Sequence, residues 1–282
     1  MVLATVLAMT GCADGNTDHP TAGGGVTDEA AEQAPSPSAV HPDFSLTADD
    51  LDMLTDGMPP EIRARIADRP TVFLERAKDL LALPEMILAR ADKQTRLPAD
   101  FEPADLVDLA RYGDRWILNR EGLSLRAPVI PDLAAMIEAA RLDGILLDIS
   151  SSYRSYDYQD RLFAYWVDQL GQEEAERVSA RPGTSQHQLG TTMDFGSVSE
   201  EFADVPAGRW LAAHAWRFGF SLSYPDGMES ITGYAYEPWH FRWISRAGTA
   251  MEREFFGGVQ QYFIEFWESA GPTLAGACTA CS

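Results

Sequence analysis

Between Pro131 and Trp243, short β-type runs alternate with amphipathic helices that end on glycine, and this alternation limits the available folds more than any other feature. Pro131 to Arg141 reads as a helix stopped by Gly144, Asp157 to Leu170 as one closed by Gly171, Glu173 to Ser179 as a shorter one, and Arg209 to Phe218 as one ended by Gly219. The runs Ile145–Ser152, Phe220–Tyr224 and Tyr234–Trp243 carry β-type residues, with a further strand expected around Met193, Asp194 and Phe195. Hairpin-like returns between such runs predict an α+β fold, a small antiparallel sheet flanked by helices, rather than a doubly wound parallel sheet.

Residues 46–96 read as an N-terminal helical subdomain packed against the main domain. Thr47 can cap a first helix, Pro59-Pro60-Glu61 can open a second, and Pro70 and Pro84 punctuate two more. Ahead of it, residues 13–45 are rich in Gly, Pro, Ser, Thr and acidic side chains without an apolar period, which predicts a disordered tether. Residues 1–12 are apolar and end in small residues before Cys12; they resemble the remnant of a bacterial lipoprotein signal, with Cys12 as the acylated residue. Residues 97–270 form the main domain and 271–282 a tail, in which Cys278 and Cys281 are expected to form a local disulfide without further function.

The formal net charge of -21 argues against nucleic acid and against an anionic membrane surface as partners, because phosphates are repelled at long range. An anionic substrate would need local positive charge.

Five histidines are present. His19 and His41 fall in the expected tether, and His214 sits in a helix among apolar neighbours, which leaves His187 and His240. His187 lies in Ser185-Gln186-His187-Gln188-Leu189-Gly190-Thr191-Thr192-Met193-Asp194, a loop feeding a strand. A carboxylate in so apolar a run is costly to bury without a partner. A metal ion is one such partner and a hydrogen-bonded structural aspartate the other, and spacing alone does not separate them. Glu237-Pro238-Trp239-His240 sits in an aromatic stretch where a charge and an imidazole together need a reason. On a straight strand an offset of three puts side chains on opposite faces, so Glu237 and His240 converge only if Pro238 bends the chain or the segment starts a turn. Two imidazoles and a carboxylate would hold a metal and leave a position for water, with a second carboxylate to take its proton.

Four ordered motifs make the chain similar to a known family. Ser151-Ser152-Tyr153-Arg154-Ser155 with Gln159, Pro182-Gly183-Thr184-Ser185-Gln186-His187-Gln188-Leu189-Gly190 with Asp194, Gly219-Phe220 leading to Tyr224-Pro225, and Glu237-Pro238-Trp239-His240 together resemble the VanY-type D-alanyl-D-alanine carboxypeptidases, zinc peptidases that trim bacterial cell-wall peptides. The resemblance spans residues 97–265. It implies a Hedgehog/DD-peptidase-like sheet, His187, Asp194 and His240 as zinc ligands, Glu237 as catalytic base, and Arg154 as anchor of the substrate's terminal carboxylate. Arginine suits that last role because its planar fork pairs a carboxylate bidentately. Gln159 and Ser185 match positions lining the family's substrate pocket. Two positions depart from the pattern: Gln186 stands where the family usually has Glu, and Thr192 where it has a small Ala.

The expected function is removal of the C-terminal D-Ala from peptidoglycan stem peptides ending in D-Ala-D-Ala, by an extracytoplasmic protein in the periplasm or at the cell surface that meets the membrane only through its lipid anchor. A D,D-dipeptidase or endopeptidase of the same superfamily is the enzymatic alternative. A non-catalytic wall-binding lipoprotein is the alternative from another class, and the intact Glu237 argues against it.

Overall fold

The computed structural model describes residues 38–281, so Cys12, the signal remnant and most of the expected tether lie outside them. Along the described chain run α1 (Ala48–Leu54), α2 (Pro60–Asp68), α3 (Pro70–Leu81), β1 (Leu106–Asp108), β2 (Ile117–Leu118), β3 (Ser124–Arg126), α4 (Ile130–Leu142), β4 (Asp148–Ser151), α5 (Tyr156–Leu170), α6 (Gln172–Val178), β5 (Thr192–Phe195), α7 (Pro206–His214), β6 (Phe220–Leu222), α8 (Glu229–Thr232), β7 (His240–Trp243), α9 (Ser245–Phe255) and α10 (Gln260–Ala277).

The α+β expectation holds. A five-stranded sheet has the order β2-β4-β5-β7-β6, with every pairing antiparallel except β2 with β4, and β1 and β3 form a separate two-stranded antiparallel sheet. In the centre of the sheet Asp194 pairs with His240, and Ser151 pairs with Asp194 across a bulge in β4. Directly opposite residues on paired strands share a face, so this register alone brings an acidic and an imidazole side chain together.

Local chemistry explains where elements begin. Thr47 and Asp50 form a reciprocal capping box at α1. Prolines open α2 and α3, where a missing N–H costs no hydrogen bond. Pro84, however, opens no helix: residues 84–96 are turns and coil. The carbonyls of Ile87 and Ala89 are taken instead by the fully buried Arg242 guanidinium, at 2.8 and 2.7 Å, so tertiary hydrogen bonds replace helical ones.

Two β-type runs are shorter than the pattern suggested. Only Asp148–Ser151 of the first pairs, because Ile145 N bonds back to Ala140 O and finishes α4. In the second the strand starts at His240; Glu237 precedes it in a turn closed by His240 N to Glu237 O at 3.1 Å.

The helices α1–α3 share one continuous core with α9 and α10, through edge-on contacts of Phe73 with Phe255 and Phe266. Residues 38–45 belong to this body and do not behave as a tether. Phe44 is buried, and His41 is buried against Glu75. At the other end α10 continues to Ala277, past residue 270, and the chain beyond it is held rather than loose. Ala277 O accepts from Ser45 N, Thr279 N donates to Asp43 O, and Cys278 and Cys281 form the expected disulfide. Among the described residues no helix is long and apolar enough to cross a membrane.

Candidate active site

His187 is fixed by its immediate neighbours. It sits in a single 3-10 turn, Gln186–Leu189, whose N-terminus is capped by Ser185 Oγ accepting from His187 N at 3.3 Å. Gly190 ends the turn in the left-handed region at φ 70, and a Cβ there would stand 2.9 Å from Arg126 Cγ, so glycine is required on both counts. Asp194 and His240 come from the facing strands β5 and β7, and Glu237 from the turn before β7. Ligand atoms of His187, Asp194 and His240 all lie within 4.8 Å of one another, and all three residues are buried.

The positions of the protons decide what this cluster can be. His187 Nδ1 lies 2.7 Å from Ser152 O, which can only accept, so Nδ1 carries the proton and Nε2 presents a lone pair. That Nε2 sits 3.3 Å from Asp194 Oδ2. The His240 proton is placed by a chain of amides. Ser221 O accepts from Gln260 Nε2 at 3.5 Å, Gln260 Oε1 accepts from Gln186 Nε2 at 3.1 Å, and Gln186 Oε1 thereby faces His240 Nε2 at 3.3 Å. His240 Nε2 donates, so Nδ1 is left unprotonated, 3.2 Å from Asp194 Oδ1 and 3.4 Å from Glu237 Oε2.

Burial, reinforced by the Arg154 charge, holds His187 down at about 4, and burial likewise lowers His240, so both imidazoles are neutral. Two nitrogen lone pairs and a carboxylate thus converge with no proton between them. His187 Nε2 and Asp194 Oδ1 are buried without a hydrogen-bond partner. Acceptors turned on each other at this range repel unless a cation joins them, and the two-imidazole, one-carboxylate set fits a divalent metal such as zinc.

A cavity of about 250 Å³ opens over the cluster, lined among others by Arg154, Ser185, Glu237 and Trp239. Glu237 is pushed well above the usual carboxylate range, first by burial and then by the Asp194 charge, with Arg154 opposing. Arg154 follows β4, its backbone N donating to His187 O at 3.3 Å. Its Nη2 stands 3.8 Å from Asp194 Oδ2, and its buried Nε has no partner. The guanidinium thus faces the cavity with donors to spare.

Of the two pocket residues expected with them, Ser185 lines the cavity and Gln159 does not. Gln159 lies behind the wall, fully buried on α5, with Nε2 donating to Ala180 O at 2.7 Å. Thr192 is buried in β5 with a hydroxyl that has no partner. Sequence reasoning marked Gln186 as a departure but missed its partner Gln260, 74 residues on, for which no local pattern offers a signal.

The comparisons with known proteins converge on one family. The model of the VanY family, D-alanyl-D-alanine carboxypeptidase, matches residues 122–246. YodJ of Bacillus subtilis (strain 168) is 35% identical over 188 residues, covering 64% of this chain and 68% of that protein. The Enterococcus gallinarum bifunctional D-Ala-D-Ala dipeptidase and D-Ala-D-Ala carboxypeptidase VanXYC is 34% identical, over 54% of this chain and 80% of its own. The chain belongs to the VanY D-alanyl-D-alanine carboxypeptidase family. Its members are hydrolases, so this chain is an enzyme of the peptidase class. Among solved structures, the vancomycin-resistance D,D-pentapeptidase VanY in complex with Zn(II) is 27% identical with a TM-score of 0.53, covering 64% of this chain and 99% of that one. The LdcB LD-carboxypeptidase is 32% identical with a TM-score of 0.57, covering 65% and 86%.

Proposed function

We propose that the protein is a zinc-dependent carboxypeptidase that removes the C-terminal D-alanine from peptidoglycan stem peptides ending in D-Ala-D-Ala. The observation that carries this reading is the convergence of three unprotonated ligand atoms beside one further carboxylate and one guanidinium with donors to spare, in a single cavity. His187 Nε2, Asp194 and His240 Nδ1 would hold the ion. Zinc bound there polarises a carbonyl and makes water acidic near neutrality.

The remaining work falls to this chain's side chains. Glu237, 3.4 Å from His240 Nδ1, is positioned to accept the proton of the attacking water and to pass it to the amine released as the C–N bond breaks. It has to be ionised for this, and a bound divalent cation opposes the upward push of burial. Arg154 offers its fork to the terminal carboxylate of the substrate, which would fix where along the peptide the cut falls. Ser185 adds a hydroxyl on the same wall.

The test is mass spectrometry of stem peptides before and after incubation with zinc-loaded protein. Loss of a single terminal D-Ala from the pentapeptide supports the proposal. Release of an intact dipeptide, hydrolysis of free D-Ala-D-Ala or cleavage of cross-links would move the assignment to a dipeptidase or endopeptidase. Zinc retained with no cleavage would favour a wall-binding lipoprotein. A second reading, an L,D-carboxypeptidase, is favoured by the higher identity to LdcB; tetrapeptides cleaved in preference to pentapeptides would select it. We also propose an exported, lipid-anchored protein acylated at Cys12, outside the described residues. The mass of the N-terminal peptide from membranes tests it.

A further inference from the structure

A second cavity, of about 310 Å³, lies beside the catalytic one and shares Ser179 and Tyr234 with it. Its charged lining is Lys93, Arg96 and Arg181 against the single acid Glu176. Arg181 is ion-paired with Glu176, whereas Lys93 and Arg96 take part in none of the ion pairs found among the described residues. In a chain with 22 basic and 43 acidic residues, a lining of three cations to one acid reverses the overall balance of charge.

Two further observations point to a ligand. Tyr234, common to both cavities, has a buried hydroxyl that makes no hydrogen bond of good geometry, with the Thr184 hydroxyl beside it on the same wall. The exposed Lys93 side chain lines the same cavity, with its ammonium 4.6 Å over the Tyr234 ring. Burial lowers the Lys93 pKa; Glu176 and Glu229 oppose that and Arg177 and Arg181 add to it. Glu229 and Glu174 are themselves engaged by Arg177.

Distance sets the register. His240, Tyr224 and Tyr234 follow one another at ring separations of 4.7 and 4.7 Å, and the Lys93 ammonium comes next. That succession keeps the ammonium within about four extended residues of the His240 ring. An acidic side chain one or two places upstream of the cleaved pair would span it. We propose that Lys93, Arg96 and the Tyr234 hydroxyl form an anion subsite that takes a side-chain carboxylate of the peptide substrate, so that the enzyme prefers acidic stems; this rests on the carboxypeptidase reading above.

The test uses acetylated peptides ending in D-Ala-D-Ala that differ only in Glu against Gln, at the third or at the fourth place from the C-terminus. At low salt the Glu peptide should show a KM roughly tenfold lower at one of these places, with kcat changed less than about twofold. The advantage should shrink as ionic strength rises. In the Lys93→Ala, Arg96→Ala double variant the Glu-to-Gln ratio should fall to about one. Equal KM values for Glu and Gln at both places in the parent protein overturn the subsite, and so does a ratio that survives in the folded double variant. If the double variant does not fold, the parent's ratio decides alone. Failure to cleave any of the peptides would instead defeat the carboxypeptidase reading.

Discussion

Among the described residues two clusters hold ligand-type side chains within metal-binding distance of one another, His187 with Asp194 and His240, and His41 with Asp43 and Glu75. Only the first is built for a cation. In the second, His41 Nδ1 already accepts from Asp43 N at 3.0 Å, its Nε2 donates to Glu75 at 3.0 Å, and Asp43 is neutralised by Lys78. Every atom there has a proton or an opposite charge facing it, and Glu75 is open to solvent. In the first, Ser152 O and Gln186 Oε1 draw the imidazole protons outward, so lone pairs meet in a buried space. Ligand count does not separate the two; the direction of the protons does.

That contrast can be broken by experiment, beginning with the largest effect. His187→Ala or Asp194→Ala should lose bound zinc to background and all turnover, measured by elemental analysis and peptide hydrolysis; zinc retained in either would remove the basis of the contrast. Glu237→Gln should keep the metal and lower kcat by about 10²–10⁴-fold, the usual worth of a general base. Undiminished turnover would exclude Glu237 from that role. Gln186→Leu removes the acceptor that orients His240 and should weaken zinc affinity by about 10- to 100-fold in chelator competition. An unchanged affinity would mean that the amide chain does not set the tautomer.

Glu252 sharpens the comparison from another side, as a buried acid outside the lone-pair cluster whose only side-chain partner among the described residues is the Ser221 hydroxyl, at 2.9 Å. Burial pushes it up to about 8 from an ordinary 4.5. The folded protein therefore keeps a proton that the unfolded chain has released, and stability falls as pH rises from 4.5 to about 8 and then levels off. Glu252→Gln lacks this loss and should gain about 5 °C in Tm on its parent between pH 5 and pH 8.5. A constant gap would show Glu252 ionised throughout. The smallest effect belongs to the spent cluster: His41→Ala should leave zinc content and activity unchanged and cost about 1–2 kcal/mol of stability by denaturant unfolding. A drop in bound zinc would make it a second metal site after all.

How much of this was legible in the chain differs from element to element. Pro60, Pro70, Gly144 and Gly171 mark helix ends through φ preferences and missing donors that act within a few residues, and those helices lie where expected. The runs Ile145–Ser152 and Tyr234–Trp243 overreached because β-type composition does not say where a partner strand stops. Pro84 misled because Arg242, far along the chain, holds the carbonyls a helix would have used. Residues 38–45 look like tether by composition, yet His41 and Phe44 are buried. For the site, the short motifs named His187, Asp194, Glu237, His240 and Arg154, and the structure brings them to one cavity. Gln159 falls behind its wall, and Gln260 had no local mark at all.

The sequence by itself determined the kind of chemistry available, because imidazole, carboxylate and guanidinium groups in four ordered segments restrict what can be done with them, and it marked those helix ends that depend on a proline or glycine within a few residues, while α9 and α10 went unmarked. Only the tertiary structure decided that Asp194 stands across from His240, that Glu237 leaves the strand in time to join them, and that Ser152 and the Gln186–Gln260 pair turn two protons away. These are relations between strands and between residues far apart in the chain. A lone pair is aimed by whatever sits behind it in space, which no spacing in the sequence records.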